Sequence, residues 1–259
     1  MLVATLGLPA TATAVSGPAA SPSTTATAND MERLVLATMN QDRAGLGLVP
    51  YRSWGALGTI ARDRAERMAA ANTMSHAVAG GDLGPVYEAK GIQTYGWGDI
   101  IGTSTYPWGS EAILNIYGLW KNSRFHWPLM TSADFNYTAV GVARASNGAT
   151  YVAVVFSESD DHTAPIARNG TLSRSGTTVS FRWSGTDPLL QTHTAGLRSF
   201  DLQYRVDGGA WRLIRDNTTA TSISLANRLP GHTYSFRVQA ADRRGTLSAW
   251  TREIRISIP

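Results

Sequence analysis

The sequence predicts two domains in tandem, an α+β domain of layered helices and sheet followed by an all-β sandwich. Three observations predict it. Stretches with helical apolar spacing occupy the first half of the chain up to about Asn122. Two strand-like runs, Thr138–Ala143 and Tyr151–Phe156, flank the turn Ser146-Asn147-Gly148 and read as a hairpin. Past a polar stretch from Ser157 to Arg168 that contains Pro165, the pattern changes to short strands every 8–12 residues.

The elements follow in order. Asn29 or Asp30 is expected to cap a helix to about Ala44, with Met31, Leu34, Val35 and Thr38 on one face and Gly45 as the stop. Ser53 is expected to cap a second helix whose apolar stripe is Leu57, Ile60, Ala61, Ala65 and Met68. Arg62, Asp63, Arg64, Glu66 and Arg67 then form its solvated face. Gly80–Gly109 is glycine-rich and aromatic, and reads as a long irregular region. A third helix is expected from about Glu111 to Asn122, and helices around the antiparallel hairpin make the first domain α+β. In the second half, strands are expected at Thr178–Trp183, Phe200–Val206, Trp211–Ile214, Ser222–Leu225, Tyr234–Ala240 and Ile254–Ile258. The resulting boundaries are 1–28 for a signal-like and Ala/Ser/Thr/Pro-rich spacer, 29–158 for the first domain, 159–168 for a linker and 169–259 for the second.

Composition bounds the function. With 43% hydrophobic and 16% charged residues the 259-residue chain is globular. Asp30–His162 holds ten Lys and Arg against thirteen acids, whereas Thr163–Pro259 holds thirteen Arg against six. An arginine-biased composition accounts for that excess, since Lys occurs only at Lys90 and Lys121, and nucleic acid is not an expected partner. The first 29 residues are uncharged, and Leu2–Leu8 followed by Ala10-Thr11-Ala12 reads as the end of an export signal without its basic start. That apolar run is too short to span a bilayer. With no cysteine, disulfides and thiol catalysis are excluded, and an exported chain of this kind points to a bacterium.

His76 and His126 are the leading candidates for chemistry. Each closes a helical stretch, and histidine is both a neutral metal ligand and a proton carrier near neutral pH. Around them, Leu36–Leu48, Met74-Ser75-His76, Gly98-Asp99-Ile100-Ile101, Trp120–His126 and Phe135–Val142 together resemble the CAP superfamily of secreted cysteine-rich, antigen-5 and pathogenesis-related proteins, in its cysteine-free bacterial form. Trp183, the turn Leu229-Pro230-Gly231-His232-Thr233-Tyr234 and the strand Phe236–Asp242 are similar to fibronectin type III. The resemblances imply a three-layer α-β-α sandwich followed by an immunoglobulin-like sandwich, in a secreted or cell-surface protein.

The CAP resemblance further implies a central cleft of two histidines and two acids that holds a divalent cation in many members. His76 and His126 match the histidines. Asp99 stands where the family has Glu in Gly-Glu-Asn, one methylene shorter. The second acid has no clear counterpart, and Glu88, Glu111 or Asn122 are its candidate substitutes. His76, His126 and Asp99 are thus the expected ligands for Zn²⁺ or another divalent cation, with one coordination position open; the alternative is that the histidines bond Asp99 and backbone and only organise the cleft. Ser75 and Ser123 adjoin the histidines, but no Gly-x-Ser-x-Gly elbow accompanies either. Trp97, Trp108 and Trp127, in loops, are the aromatic candidates for a glycan, lipid, peptide or cell-wall polymer. His162, His193 and His232 read as linker or surface residues. The expected function is a non-enzymatic binding protein; a metal-dependent hydrolase of peptide or cell-wall substrates and an envelope adhesion protein are the alternatives.

Overall fold

The computed structural model describes residues 26–259, so the export-signal reading lies outside the described residues. Helix α1 spans Ala28–Gly45. Its cap is Thr27, not Asn29 or Asp30: the Thr27 hydroxyl accepts from the Asp30 N–H while the Asp30 carboxylate returns to the Thr27 N–H, a reciprocal capping box. Helix α2, Gly55–Ala71, starts after Trp54 with no side-chain cap, so Ser53 does not cap it. Ser53 instead closes the two-residue strand β1, Arg52–Ser53. The stretch expected to be irregular holds helix α3, Leu83–Ala89, and strand β2, Gly96–Ser104. Helices α4, Ser110–Lys121, and α5, Trp127–Met130, precede the hairpin β3, Tyr137–Arg144, and β4, Thr150–Glu158.

The sheet order is β1-β3-β4-β2, with β1 parallel to β3 and the other pairs antiparallel. Alternation along β4 explains the three layers. Val152, Val154 and Phe156 pack against α1, α4 and α5, whereas Tyr151, Ala153 and Val155 pack toward α2 and α3. Both faces being covered, β3 and β4 read as continuous apolar runs rather than alternating ones. Strand β2 forms one edge of this sheet, and the cleft lies along it.

The second domain has seven strands: β5 Ile166–Ser175, β6 Thr178–Thr186, β7 Leu197–Val206, β8 Arg212–Thr218, β9 Ser222–Leu225, β10 Thr233–Asp242 and β11 Ile254–Ser257. They form sheets β11-β10-β7-β8 and β5-β6-β9 over a core of Phe181, Trp183, Leu202, Phe236 and Val238. Sequence spacing missed β5, which is polar and exposed on an edge and begins inside the stretch expected to be linker. The Tyr234 hydroxyl accepts the Leu229 N–H at 2.9 Å, which closes the turn that leads into β10.

The two domains meet in a built joint. The loop 187–196 between β6 and β7 reaches back to the first domain, where Leu190 is 2% exposed within the cluster of Leu57, Ile60 and Tyr137. Around it, Gln191 accepts from the Val49 N–H, Asn136 donates to the Thr192 carbonyl and Asp161 accepts from the Ala195 N–H. His162 and His193 belong to this joint: His162 stacks on Trp54 at 4.1 Å, and His193 stacks on Tyr95 and bonds Glu158 at 2.9 Å.

Candidate functional site

The site is assembled by three elements around β2. On the α2 side, Arg64 is 1% exposed, which overturns its expected place on the solvated face. It lies between Ala61 and Met68 on the buried stripe, and its guanidinium donates to the Gly81 carbonyl at 2.9 Å and to Asp99 Oδ2 at 2.5 Å. Asp99, in the middle of β2, therefore faces a fixed cation. The same Oδ2 takes Nδ1 of His76 at 3.0 Å, from the loop after α2. A carboxylate can only accept, so Nδ1 of His76 carries the proton of this bond and Nε2 lies on the side of the ring away from Asp99.

His126 comes from the other side, at the turn between α4 and α5. Its Nδ1 lies 2.8 Å from Ser123 Oγ, and that oxygen also takes the N–H groups of Phe125 and His126 in a local turn. Burial lowers the affinity of His126 for a proton, and the charge of a protonated His76 adds to that effect. His126 is accordingly a neutral imidazole near pH 7. Among the described residues the side-chain partner of His126 is Ser123, in a local turn, while Asp99 is bonded to His76 and Arg64.

Beneath His126 an apolar pocket of about 160 Å³ opens between β2 and α4, lined by Met74, Ile101, Ile116, Leu119 and Trp120. Its volume admits a group of about benzene size. Only His126, Ser123 and Thr103 bring polar side chains to it.

The metal expected from the family fits these residues poorly. Among the described residues no three His, Cys, Asp or Glu side chains are arranged to hold a metal ion. Arg64 and His76 both bond Oδ2 of Asp99, so a cation at that oxygen would sit against a guanidinium. Nε2 of His76 and of His126 remain open to a ligand.

The other candidate residues are dispersed. Glu88 is exposed near the end of α3, Glu111 sits in the first turn of α4, and Asn122 ends α4 with its amide on the Gly118 carbonyl. Trp108 donates to the Ala26 carbonyl under Arg144, and Trp127 packs on the core beneath Lys121. Trp97 is 45% exposed, on the same face of β2 as Asp99. Sequence reasoning missed Arg64; its signal was a charged residue at a stripe position.

No curated protein sequence matches the chain. A cysteine-rich secretory protein from Staphylococcus aureus is similar at 17% identity and a TM-score of 0.40, covering 50% of this chain and 38% of its own. An extracellular protein containing an SCP domain from Bacillus anthracis is similar at 20% identity and a TM-score of 0.43, covering 55% and 45%. This chain thus spans less than half the length of either. A fibronectin type III-like protein from Clostridium thermocellum is similar at 21% identity and a TM-score of 0.28, covering 38% of this chain and 96% of its own. No helix among the described residues is long and apolar enough to cross a membrane. Residues 36–156 match the sequence model of the cysteine-rich secretory protein family, and this part of the chain is a CAP domain.

Proposed function

We propose that the chain is an extracellular, non-enzymatic binding protein that seats a small ligand at the two-histidine cleft. The apolar part of the ligand enters the pocket under His126, and a hydroxyl or N–H on its head donates to the open imidazole nitrogens. The observation that carries this reading is the Arg64–Asp99 pair. It supports this reading because Arg64 and His76 already share Oδ2 of Asp99, which disfavours a cation at that oxygen, while His126 lies beside an apolar hollow.

The test is calorimetric titration of residues 26–259 with small aliphatic and aromatic alcohols, in parallel with zinc, on the wild type and the His76→Ala/His126→Ala double variant. Alcohol binding that is lost in the double variant and in Ile116→Trp, which fills the pocket, supports the reading. Saturable zinc uptake near one equivalent, lost in the double variant, with no alcohol binding, replaces it by a metal site.

A further inference from the structure

Trp97 is exposed at a cost that nothing in the cleft explains. Its indole is not loose. Nε1–H donates to Asp82 at 3.2 Å, and the rim of the six-membered ring at Cζ2 meets Gly84 of α3, where a Cβ would come within 2.8 Å of it. Glycine at that position lets the ring approach the helix, and the hydrogen bond fixes its tilt. The ring borders a shallow open groove of about 440 Å³ that continues past Glu88, Gln93 and Thr94. Among the described residues the side chains of Glu88 and Gln93 have no hydrogen-bond partner, although both are exposed beside the ring.

A rigid, half-exposed aromatic plane with free polar groups at its rim is a surface of defined chemistry. The acids Asp82 and Glu88 beside the ring oppose a phosphate or sulfate ligand. An alkyl chain would need a closed apolar channel, and this groove is open and polar-rimmed. A pyranose ring meets both demands, since its C–H face packs on an indole while its hydroxyls donate to a carboxylate and exchange hydrogen bonds with an amide. We infer that the Trp97 groove is a binding subsite for a neutral glycan, separate from the histidine pocket and on the face of β2 that carries Asp99. This inference stands without the cleft reading, because it rests on different residues.

The test is titration of residues 26–259 with tetrasaccharides of β-linked glucose, N-acetylglucosamine and xylose, followed by calorimetry and by the indole N–H signals in NMR. At least one is expected to bind with a Kd of about 0.1–1 mM, shifting the Trp97 N–H signal. Trp97→Ala should weaken binding roughly tenfold or more, and Trp97→Phe should retain much of it. Glu88→Ala and Gln93→Ala, at exposed positions that leave the fold intact, should each weaken it about threefold or more. No binding of any of the three up to about 10 mM, or binding unaffected by all of these substitutions, would overturn the proposal.

Discussion

Removing Arg64 leaves Asp99, whose side chain is only 16% exposed, without its cation, and the Gly81 carbonyl without its donor. Arg64→Met is expected to destabilise the protein by about 3 kcal/mol in urea unfolding, because a partly buried charge is left unpaired. Adding Asp99→Asn should recover part of that loss, so the double variant costs less than the sum of the two single ones. Strictly additive costs would show that the pair is not coupled. Two histidines make a second prediction at this scale. Burial lowers the pKa of His126, with His76 adding, and burial lowers that of His162, with Arg244 adding. Both bind protons less readily folded than unfolded, so their contribution is full above the ordinary histidine value of about 6.5 and is lost as the pH falls through it. The Tm should hold level from about pH 8 to 7 and drop toward pH 5.5, with a shallower drop in His126→Gln/His162→Gln. A Tm that rises on mild acidification would reject this assignment. The sequence singled out His76 and His126 from their position at helix ends, and the structure puts His76 on Asp99 and His126 beside Ser123. Arg64 was legible only in its spacing: it follows Ala61 by three residues and precedes Met68 by four, and its charge hid a core position.

At the scale of elements, glycine placement shows how closely the layers meet. A Cβ on Gly141 of β3 would lie 2.2 Å from the backbone of Ala61, so α2 rests directly on the strand. Gly141→Ala must push that helix outward, and is expected to cost about 3 kcal/mol or more and to lower the Tm by roughly 6–12 °C. Gly58→Ala, within α2 and with nothing within 4 Å of the added methyl, should have the opposite sign and stabilise by about 0.5–1 kcal/mol. Equal effects at the two sites in thermal melts would refute the packing argument. The same principle explains why β2 was not legible. Gly98 and Gly102 read as loop signals, yet a Cβ there would meet Leu129 at 3.2 Å and Ile116 at 2.4 Å. These glycines let α5 and α4 close on the strand, and a propensity argument counts them against the very element they permit. The hairpin β3–β4 was legible because both of its strands are long apolar runs around a strong turn.

The whole molecule behaves as more than a CAP domain with a module attached. A loop of ten residues between β6 and β7 is longer than a sandwich turn requires. Its Leu190 fills a socket that the first domain would otherwise expose beside Trp54 and Leu57. The buried leucine, the hydrogen bonds to Val49, Asn136 and Asp161, and the ion pair of Arg244 with Asp160 at 2.8 Å make the unfolding of one domain costly to the other. A single calorimetric transition is therefore expected for residues 26–259. Leu190→Ala should lower stability by about 3 kcal/mol through the emptied socket. Leu190→Asp goes further, because a carboxylate cannot enter the socket without losing its hydration, so the loop must lift off. That variant should melt in two resolved transitions, the first domain at the lower temperature. Two transitions already in the wild type would mean that the joint carries no coupling, and an unchanged single transition in Leu190→Asp would mean that Leu190 does not couple the domains.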